Sequence, residues 1–189
     1  MQSTRKIILA SKSPRRSQIL REAGFEFEIK TQATDESFPE DLPVREVAQY
    51  LAEKKARGVE EFLEKDTVII TSDTTVILGN TIFGKPKDEA DAFGILRQLS
   101  GKAHEVITGV CLLSQHKVHA FSATSTVYFD EFTDDEIRHY IRTYQPFDKA
   151  GAYGIQEWVG LCKIKKIEGT YSNIMGLPMR DVYEALQNF

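Results

Sequence analysis

The sequence RKIILASKSPRRSQILREAG, residues 5–24, places a short apolar run directly before the pattern of an amphipathic helix. The apolar run, RKIILA, is typical of a buried strand. Ser13 and Pro14 are typical of the N-cap and the first position of a helix, and Gly24 is typical of a helix end. The stretch therefore predicts a strand that passes through a short loop into a helix.

The rest of the chain mixes strand and helix patterns in the same manner. Apolar or alternating stretches predict further strands, and helical spacing of apolar residues predicts further helices. The predicted strands are FEFEI, TVIITSD, a TVILGNTIF hairpin that turns at Gly79-Asn80, two long strands over residues 103–130, and GLCKIKKI. The predicted helices cover residues 44–63, 88–101, 133–144 and 177–189. This mixture predicts an α/β fold with a mixed sheet.

Length and composition narrow the class of protein. A chain of 189 residues predicts one domain, residues 1–189, with room for a second lobe. Its hydrophobic content of 41% and charged content of 28% are ordinary for a soluble globular protein. No apolar run approaches the length of about 18 residues that indicates a membrane span, so we expect no membrane partner. The formal net charge of −4 argues against a general nucleic-acid binder.

The two cysteines indicate a cellular compartment. Cys111 and Cys162 lie in apolar, strand-like stretches. A secreted disulfide scaffold carries more cysteines than this. The pair therefore predicts buried, reduced thiols in a cytoplasmic protein.

The loop before the first helix concentrates positive charge at Lys12, Arg15 and Arg16. The start of a helix directs unpaired N–H groups and about half a positive charge at whatever lies in front of it. Cations here oppose the helix dipole, a cost that a bound anion offsets, and arginine forks bind pairs of phosphate oxygens. The loop therefore predicts a phosphate site. The alternative is a capped helix with solvated arginines in its first turn.

Asp73 is predicted to end the apolar strand TVIITSD. In α/β sheets, ligands gather beyond the carboxyl ends of the strands. A carboxylate at such a place binds a divalent cation or acts as a general base. The alternative is a turn aspartate that bonds to its own backbone, and the local sequence leaves both open.

Two lysines are further candidates for contact with an anion. Residues 79–85, GNTIFGK, match the first part of the P-loop pattern, but Pro86 stands where that pattern needs Ser or Thr. We therefore reject a P-loop, and Lys85 is either a point-charge phosphate ligand or a surface lysine in a turn. Lys55 falls on the apolar stripe of its predicted helix and Lys54 does not, so Lys55 either snorkels or reaches an anion.

The segment DKAGAYGIQ, residues 148–156, packs small residues around one tyrosine. Small residues let a backbone approach a ligand closely. The amide of Gln156 offers one acceptor and two donors, which is enough to read the edge of a nucleobase. The alternative is a tight turn into an edge strand.

Taken in order, the motifs LASKSPRR, LAEKKA, SDTTV, GKPKDEADAF, HEVITGV, DKAGAYGIQ and GTYSNIMGLP resemble those of the Maf family of nucleotide pyrophosphatases. The resemblance runs from about residue 6 to residue 187. It implies an α/β fold with a mixed, strongly bent sheet, flanking helices and a central cleft, similar to inosine triphosphate pyrophosphatases. It also implies hydrolysis of a nucleoside triphosphate to the monophosphate and pyrophosphate with a divalent cation, Mg²⁺ or Mn²⁺.

The resemblance further implies roles for individual residues. Asp73 matches the family's catalytic aspartate, as general base, metal ligand or both. Glu36, in the acidic TDES loop, is the second candidate metal ligand. The expected phosphate-binding residues are Ser11, Ser13, Arg16, Lys55 and Lys85.

Three positions indicate the branch of the family. Arg15, Thr74 and Gln156 match the branch similar to dTTP/UTP pyrophosphatases, and a glutamine amide satisfies a donor and an acceptor on a uracil or thymine edge. Two positions depart from the family pattern: Ser72 stands where alanine is usual, and Glu157 stands where glycine is common. Because Glu157 is next to Gln156, we expect it to affect preference among pyrimidines.

The alternatives to a dTTP/UTP pyrophosphatase are of two kinds. A nucleotide-binding regulator, such as an inhibitor of division with little turnover, would use the same phosphate site. An enzyme of the same family with a preference for 7-methyl-GTP is the other. The expected partner is a nucleoside triphosphate, with neither nucleic acid nor membrane, and the sequence leaves open whether the chain forms a homodimer.

Overall fold

The computed structural model describes residues 5–189. Its strands and helices alternate along the chain. The strands are β1 Lys6–Leu9, β2 Glu28–Ile29, β3 Thr67–Leu78, β4 Thr81–Phe83, β5 Ala103–Leu113, β6 Val118–Phe129 and β7 Ile164–Glu168. The helices are α1 Pro14–Glu22, α2 Val47–Arg57, α3 Glu89–Leu99, α4 Asp134–Tyr144, α5 Trp158–Cys162, α6 Tyr171–Ile174 and α7 Met179–Gln187. Single turns of 3₁₀ helix lie at Glu60–Phe62, Pro146–Asp148 and Ala150–Ala152.

The strands form one seven-stranded sheet in the order β2-β1-β3-β5-β6-β7, and β4 pairs with β3 beside this path. Strand β1 is parallel to both β2 and β3, with Ile8 opposite Ile69. The β3–β4 and β6–β7 pairs are antiparallel. The prediction of an α/β fold with a mixed sheet and flanking helices is therefore confirmed. The strong bend and the cleft stay predictions.

The described residues divide into two compact units, to both of which β3, β5 and β6 contribute. The first unit holds the chain up to Asp73 together with Thr108–Ala123 and Gly176–Phe189. The second unit holds Thr74–Ile107 and Thr124–Met175. The single domain over residues 1–189 with a second lobe stays a prediction.

Each unit has its own apolar core. In the first unit, α2 packs on β1, β3 and β5 through a cluster of small and branched side chains. These are Ile8, Ala52, Ala56, Val59, Ile69, Cys111 and Leu113. In the second unit, α3 and α4 pack on each other and on the sheet through a larger, partly aromatic cluster that includes Leu96, Leu99, Phe129, Ile137, Tyr140 and Tyr153. No helix within residues 5–189 is long and apolar enough to cross a membrane.

Most predicted elements are confirmed, including the Gly79-Asn80 turn between β3 and β4. The helices predicted over 88–101 and 133–144 both begin with a side-chain cap. Asp88 accepts a hydrogen bond from the Asp91 N–H at the start of α3, and Thr133 and Glu136 form a reciprocal capping box at the start of α4.

Strand β3 is longer than predicted, and this changes the position of Asp73. The prediction that Asp73 ends a strand is wrong, because β3 continues for twelve residues from Thr67 to Leu78. The β-branched residues Thr74, Thr75 and Val76 follow Asp73 directly and favour extended backbone. Asp73 therefore lies in the middle of a strand rather than in a turn.

Three other boundaries differ from the predictions. FEFEI yields only the two-residue strand β2, both of whose residues are exposed at the sheet edge. The helix predicted over 44–63 is shorter, because a turn closed by the Glu46 N–H on the Pro43 carbonyl precedes it and Gly58 ends it. In GLCKIKKI the first three residues belong to α5, Lys163 follows as its C-cap, and β7 begins only at Ile164.

The prediction for the cysteines is half right. Cys111 is buried in β5, and burial raises the pKa of its thiol to about 12. Cys162 is exposed at the end of α5, so the prediction that it is buried is wrong. Both are free thiols.

Candidate active site

The loop between β1 and α1 is organised around the hydroxyl of Ser11. The side chain of Ser11 is buried, and its Oγ accepts hydrogen bonds from the Ser13 N–H at 3.2 Å and from Arg16 Nη1 at 3.2 Å. Ser13 occupies the N-cap position in extended backbone, and Pro14 is the first residue of α1, as predicted. The Ser13 side chain makes no capping hydrogen bond, so it does not occupy the N–H groups of the first helical turn.

Arg16 is a fixed part of the first unit rather than a solvated surface arginine. Its Nε donates to the Gly176 carbonyl at 2.7 Å, and its Nη1 donates to the Ser72 carbonyl at 2.8 Å. Burial lowers the pKa of Arg16, the nearby Asp73 carboxylate opposes that shift, and the charge of Arg15 adds to it. The guanidinium stays charged at neutral pH, because its ordinary pKa lies far above 7.

Gly176 supplies a contact that the sequence did not predict. Its carbonyl accepts from Arg16 and also from Ser72 Oγ at 2.9 Å. The φ of Gly176 is +105°, in the region that glycine adopts without strain. Ser72, one of the two departures from the family pattern, thus donates to the same carbonyl that holds Arg16.

Lys55 brings the two acidic candidates together. Its Nζ lies 2.5 Å from Asp73 Oδ1 and 2.7 Å from Glu36 Oε1. The side chains of Lys55 and Asp73 are 18% and 13% exposed, whereas that of Glu36 is 51% exposed. The snorkelling alternative required the Lys55 ammonium to extend into solvent. Instead, the ammonium contacts two carboxylates.

Helix α2 is positioned against β3 by a buried hydrogen bond. Thr71 Oγ1 donates to the Ala52 carbonyl at 2.7 Å. Ala52 and Thr71 are close in sequence to Lys55 and Asp73, one turn along the helix and two residues along the strand. This bond therefore joins the helix to the strand close to the positions of Lys55 and Asp73.

The neighbouring Lys54 faces a different part of the first unit. Its Nζ lies 2.9 Å from Asp35 Oδ2 and 2.8 Å from the Ser37 carbonyl. The side chain of Asp35 is 72% exposed. The prediction that Lys55 and not Lys54 lies on the inward stripe is therefore confirmed.

The remaining candidate residues belong to the second unit. Thr74 is half-buried in β3, directly after Asp73. Lys85 is exposed two residues after β4, and among the residues that the structure describes it has neither an ion pair nor a hydrogen bond. Gln156 is exposed in the turn before α5. Next to it, Glu157 forms an ion pair with Lys149 at 3.1 Å and accepts a hydrogen bond from the hydroxyl of Tyr140.

The pair Asp73 and Glu36 fits a divalent cation that arrives with phosphates. Within residues 5–189 no group of three or more His, Cys, Asp or Glu side chains is arranged to hold a metal ion alone. Mg²⁺ is typically bound by one or two carboxylates together with substrate phosphates and water. Asp73 and Glu36 already meet at one cationic group, the Lys55 ammonium, which shows that their oxygens can share a positive charge.

Comparison with known proteins places the chain in a family. The chain matches the family described as Maf-like protein over residues 6–189. A Phocaeicola vulgatus protein named dTTP/UTP pyrophosphatase is 46% identical over 183 residues, which are 96% of this chain and 95% of the relative. Proteins of the same name from Bacteroides thetaiotaomicron and Porphyromonas gingivalis are each 43% identical, over 96% and 97% of this chain and 94% of each relative.

A solved structure supports the same fold. The Staphylococcus aureus Ham1 protein is similar with a TM-score of 0.51 and 14% sequence identity, over 98% of this chain and 97% of that one. At this identity the likeness concerns the fold alone. The family match and the relatives, which extend over almost all of the sequence, show that the chain belongs to the Maf family.

Proposed function

We propose that this protein hydrolyses dTTP and UTP to the monophosphate and pyrophosphate. The observation that carries the proposal is the cluster in which Lys55 joins Asp73 and Glu36 beside the fixed guanidinium of Arg16. The relatives at 43–46% identity named dTTP/UTP pyrophosphatase support the substrate class.

The triphosphate is held by the start of α1 and by cationic side chains. The first-turn N–H groups of α1 attract an anion, and Ser11 and Ser13 shape the loop in front of them. Arg16 is held rigidly by three hydrogen bonds, so it presents its charge without a large loss of side-chain entropy. Lys55 and Lys85 complete the proposed set of phosphate ligands.

Asp73 is the group that we expect to act on the attacking water. Its carboxylate is held by Lys55 and is mostly shielded from solvent, so it has a defined orientation. A carboxylate in this state orients a water molecule and accepts its proton as the water attacks the α-phosphorus. The cations nearby stabilise the negative charge that develops on the leaving pyrophosphate.

Asp73 and Glu36 are also the residues that would hold Mg²⁺ or Mn²⁺. When bound, such an ion supplies positive charge at the phosphate oxygens and lowers the pKa of a bound water. The Lys55 ammonium balances both carboxylates when no substrate is present. A bound triphosphate then competes for Lys55, which leaves the carboxylates able to bind a cation.

Base selection is assigned to Arg15, Thr74 and Gln156. The exposed amide of Gln156 carries a donor and an acceptor, and these complement adjacent groups on a uracil or thymine ring. A cytoplasmic location goes with this proposal, because Cys111 and Cys162 are free thiols and disulfides are rare in that compartment.

The test is pyrophosphate release from a panel of dTTP, UTP, GTP and 7-methyl-GTP, with and without Mg²⁺. We expect metal-dependent release that is fastest with dTTP and UTP. Binding of dTTP without turnover would favour the nucleotide-binding regulator instead. Faster release from 7-methyl-GTP would keep the pyrophosphatase and overturn the pyrimidine specificity.

A further inference from the structure

The turn that presents Gln156 is held by an unusually well-satisfied carboxylate. We define the Glu157 triad as Tyr140, Lys149 and Glu157. Glu157 Oε1 lies 3.1 Å from the Lys149 ammonium, and Glu157 Oε2 accepts from the Tyr140 hydroxyl. The Glu157 side chain is only 15% exposed, Lys149 is buried and Tyr140 is fully buried.

The Glu157 triad connects Gly154 and Glu157, the two ends of the turn, through the Tyr140 hydroxyl. The Tyr140 hydroxyl accepts from the Gly154 N–H at 2.9 Å while it donates to Glu157. The Glu157 N–H donates back to the Gly154 carbonyl at 3.1 Å. Burial and the Glu157 carboxylate raise the pKa of Tyr140, so the hydroxyl stays protonated and continues to donate. The turn at residues 154–157 is therefore held by one backbone hydrogen bond and by the side-chain hydrogen bonds of Tyr140.

The side chains of Gln156 and Glu157 share the space above Gly154. A Cβ on Gly154 would lie 2.8 Å from the Glu157 carboxyl carbon and 3.1 Å from Gln156 Nε2. The amide and the carboxylate are thus packed side by side against a position that only glycine leaves open. On the other side, Gly160 packs directly against the backbone of Ile155. The exposed Gln156 amide therefore lies next to the mostly buried carboxylate of Glu157.

We infer that Glu157 is a positioning residue that acts through Gln156 and thereby sets the selectivity among nucleobases. The inference rests on the proposed function of Gln156 as the group that reads the base. With the glycine that is common at this position in the family, the Tyr140 hydroxyl and the Lys149 ammonium would lose this acceptor. The turn would then have fewer constraints and the Gln156 amide a wider range of orientations.

The second unit contains a matched control for the chemistry of the Glu157 triad. Glu168 accepts from the Tyr128 hydroxyl at 3.0 Å and pairs with Lys166 at 2.6 Å. These are the same three residue types, but the side chains of Glu168 and Lys166 are 52% and 58% exposed. Glu168→Ala therefore removes an equivalent set of contacts without touching the turn at 154–157.

The kinetic test is a double-mutant cycle. We expect Glu157→Ala to raise the KM for dTTP and UTP about tenfold, a loss typical of one hydrogen bond to a base, with kcat within about twofold. The ratio of kcat/KM for dTTP over GTP falls to the same degree. Glu157→Gln, which still accepts from Tyr140, recovers most of the loss, and Glu168→Ala leaves KM and the ratio unchanged.

The decisive comparison is with Gln156→Ala. If Glu157 acts through Gln156, then the double variant Gln156→Ala/Glu157→Ala has the KM and the dTTP/GTP ratio of Gln156→Ala alone. Additive losses, or an equal loss for dTTP and GTP, would overturn the inference, because they indicate general damage to the fold.

A measurement without substrate separates this inference from the proposed function. The side-chain amide of Gln156, identified by the ¹⁵N resonance that Gln156→Ala lacks, reports its own mobility. We expect its order parameter to fall in Glu157→Ala and to stay unchanged in Glu168→Ala. An unchanged value in Glu157→Ala would overturn the inference even if dTTP is the substrate. A fall in a protein that does not hydrolyse dTTP or UTP would overturn only the proposed function.

Discussion

Lys54 and Lys55 are neighbours in α2 and bind neighbouring acidic residues, yet they differ in what surrounds them. Lys54 pairs with Asp35, which is 72% exposed, and Lys55 pairs with Glu36 and with Asp73, which is 13% exposed. One residue along a helix is a rotation of about 100°. That rotation directs one lysine at a surface loop and the other at the middle of β3.

Ion pairs of the same residue types therefore differ in energy according to their surroundings. Exposed ion pairs contribute about 0–1 kcal/mol, since water and salt screen them. When one partner of a buried pair is removed, the remaining charge is uncompensated and the cost is about 3–5 kcal/mol. Lys55 and Asp73 are close to a buried pair, since their side chains are 18% and 13% exposed. Each of the two therefore needs a partner of opposite charge to stay ionised in the folded protein.

The largest expected effect comes from the aspartates. Asp73→Asn should lower kcat for dTTP at least about 100-fold, because it removes the proposed general base while keeping the shape of the side chain. Asp35→Asn, its exposed counterpart, should stay within about twofold. Steady-state pyrophosphate release measures both. Wild-type turnover in Asp73→Asn, or an equal loss of turnover in Asp35→Asn, would contradict a specific role of Asp73 in catalysis.

The variants of the two lysines should differ less from each other in activity than the variants of the two aspartates. Lys55→Met should lower kcat/KM about 30-fold, the loss expected for a charge-assisted contact to phosphate, and should also lower the melting temperature because Asp73 loses its partner. Lys54→Met should stay within about twofold in kcat/KM. Similar losses in the two variants would show that both lysines serve the substrate or that neither does.

Glu36 is an intermediate case, because its side chain is half exposed yet pairs with Lys55. Glu36→Gln should raise the Mg²⁺ concentration for half-maximal rate about tenfold, as expected when a cation site loses one of two carboxylates. Asp35→Asn, one residue away, should leave the Mg²⁺ dependence unchanged. A Mg²⁺ titration of the rate at saturating dTTP measures this dependence in both variants. An unchanged midpoint in Glu36→Gln would show that Glu36 is not part of the metal site.

The smallest expected effect is a shift in one titration. Hydrogen bonds from Ser37 and then from Lys54 lower the pKa of Asp35 to about 2. A carboxylate with a lowered pKa supports the folded state above its ordinary pKa and loses that contribution as the pH falls through the folded value. In Lys54→Met the pKa of Asp35 should rise part of the way to its ordinary value, because the Ser37 contacts remain. The carboxyl ¹³C shift of Asp35 between pH 1.5 and 6 measures this, and an unchanged midpoint would show that the Lys54 pair does not persist in solution.

The sequence predicted elements with strong periodicity and clear caps. Helix α4 has a capping box and a regular apolar face, so both its type and its start could be predicted. The predictions failed where two local preferences of the sequence, or a local preference and the position in the sheet, favour different structures. After Asp73, three β-branched residues kept the backbone extended although aspartate favours turns. At β2, an edge position left only two residues paired.

The candidate site was predicted by residue type, and its connections were not. The inward position of Lys55 followed from helical periodicity, but its double contact with Glu36 and Asp73 depends on how a loop and a strand meet that helix. The contact between Arg16 and Gly176 joins residues 160 positions apart through a backbone carbonyl, which has no signature in a sequence. The role of Glu157 could be suspected only from its departure from the family pattern.

The acceptor at Gly176 follows, in the chain, all of the side chains that it supports. The side chains proposed for phosphate binding, catalysis and base selection, from Ser11 to Gln156, all precede residue 176 in the chain. The carbonyl that holds Arg16 and Ser72 is supplied only after all of these residues have been synthesised. A chain that ends before this glycine would therefore contain every side chain proposed for the site and still lack the carbonyl that supports Arg16.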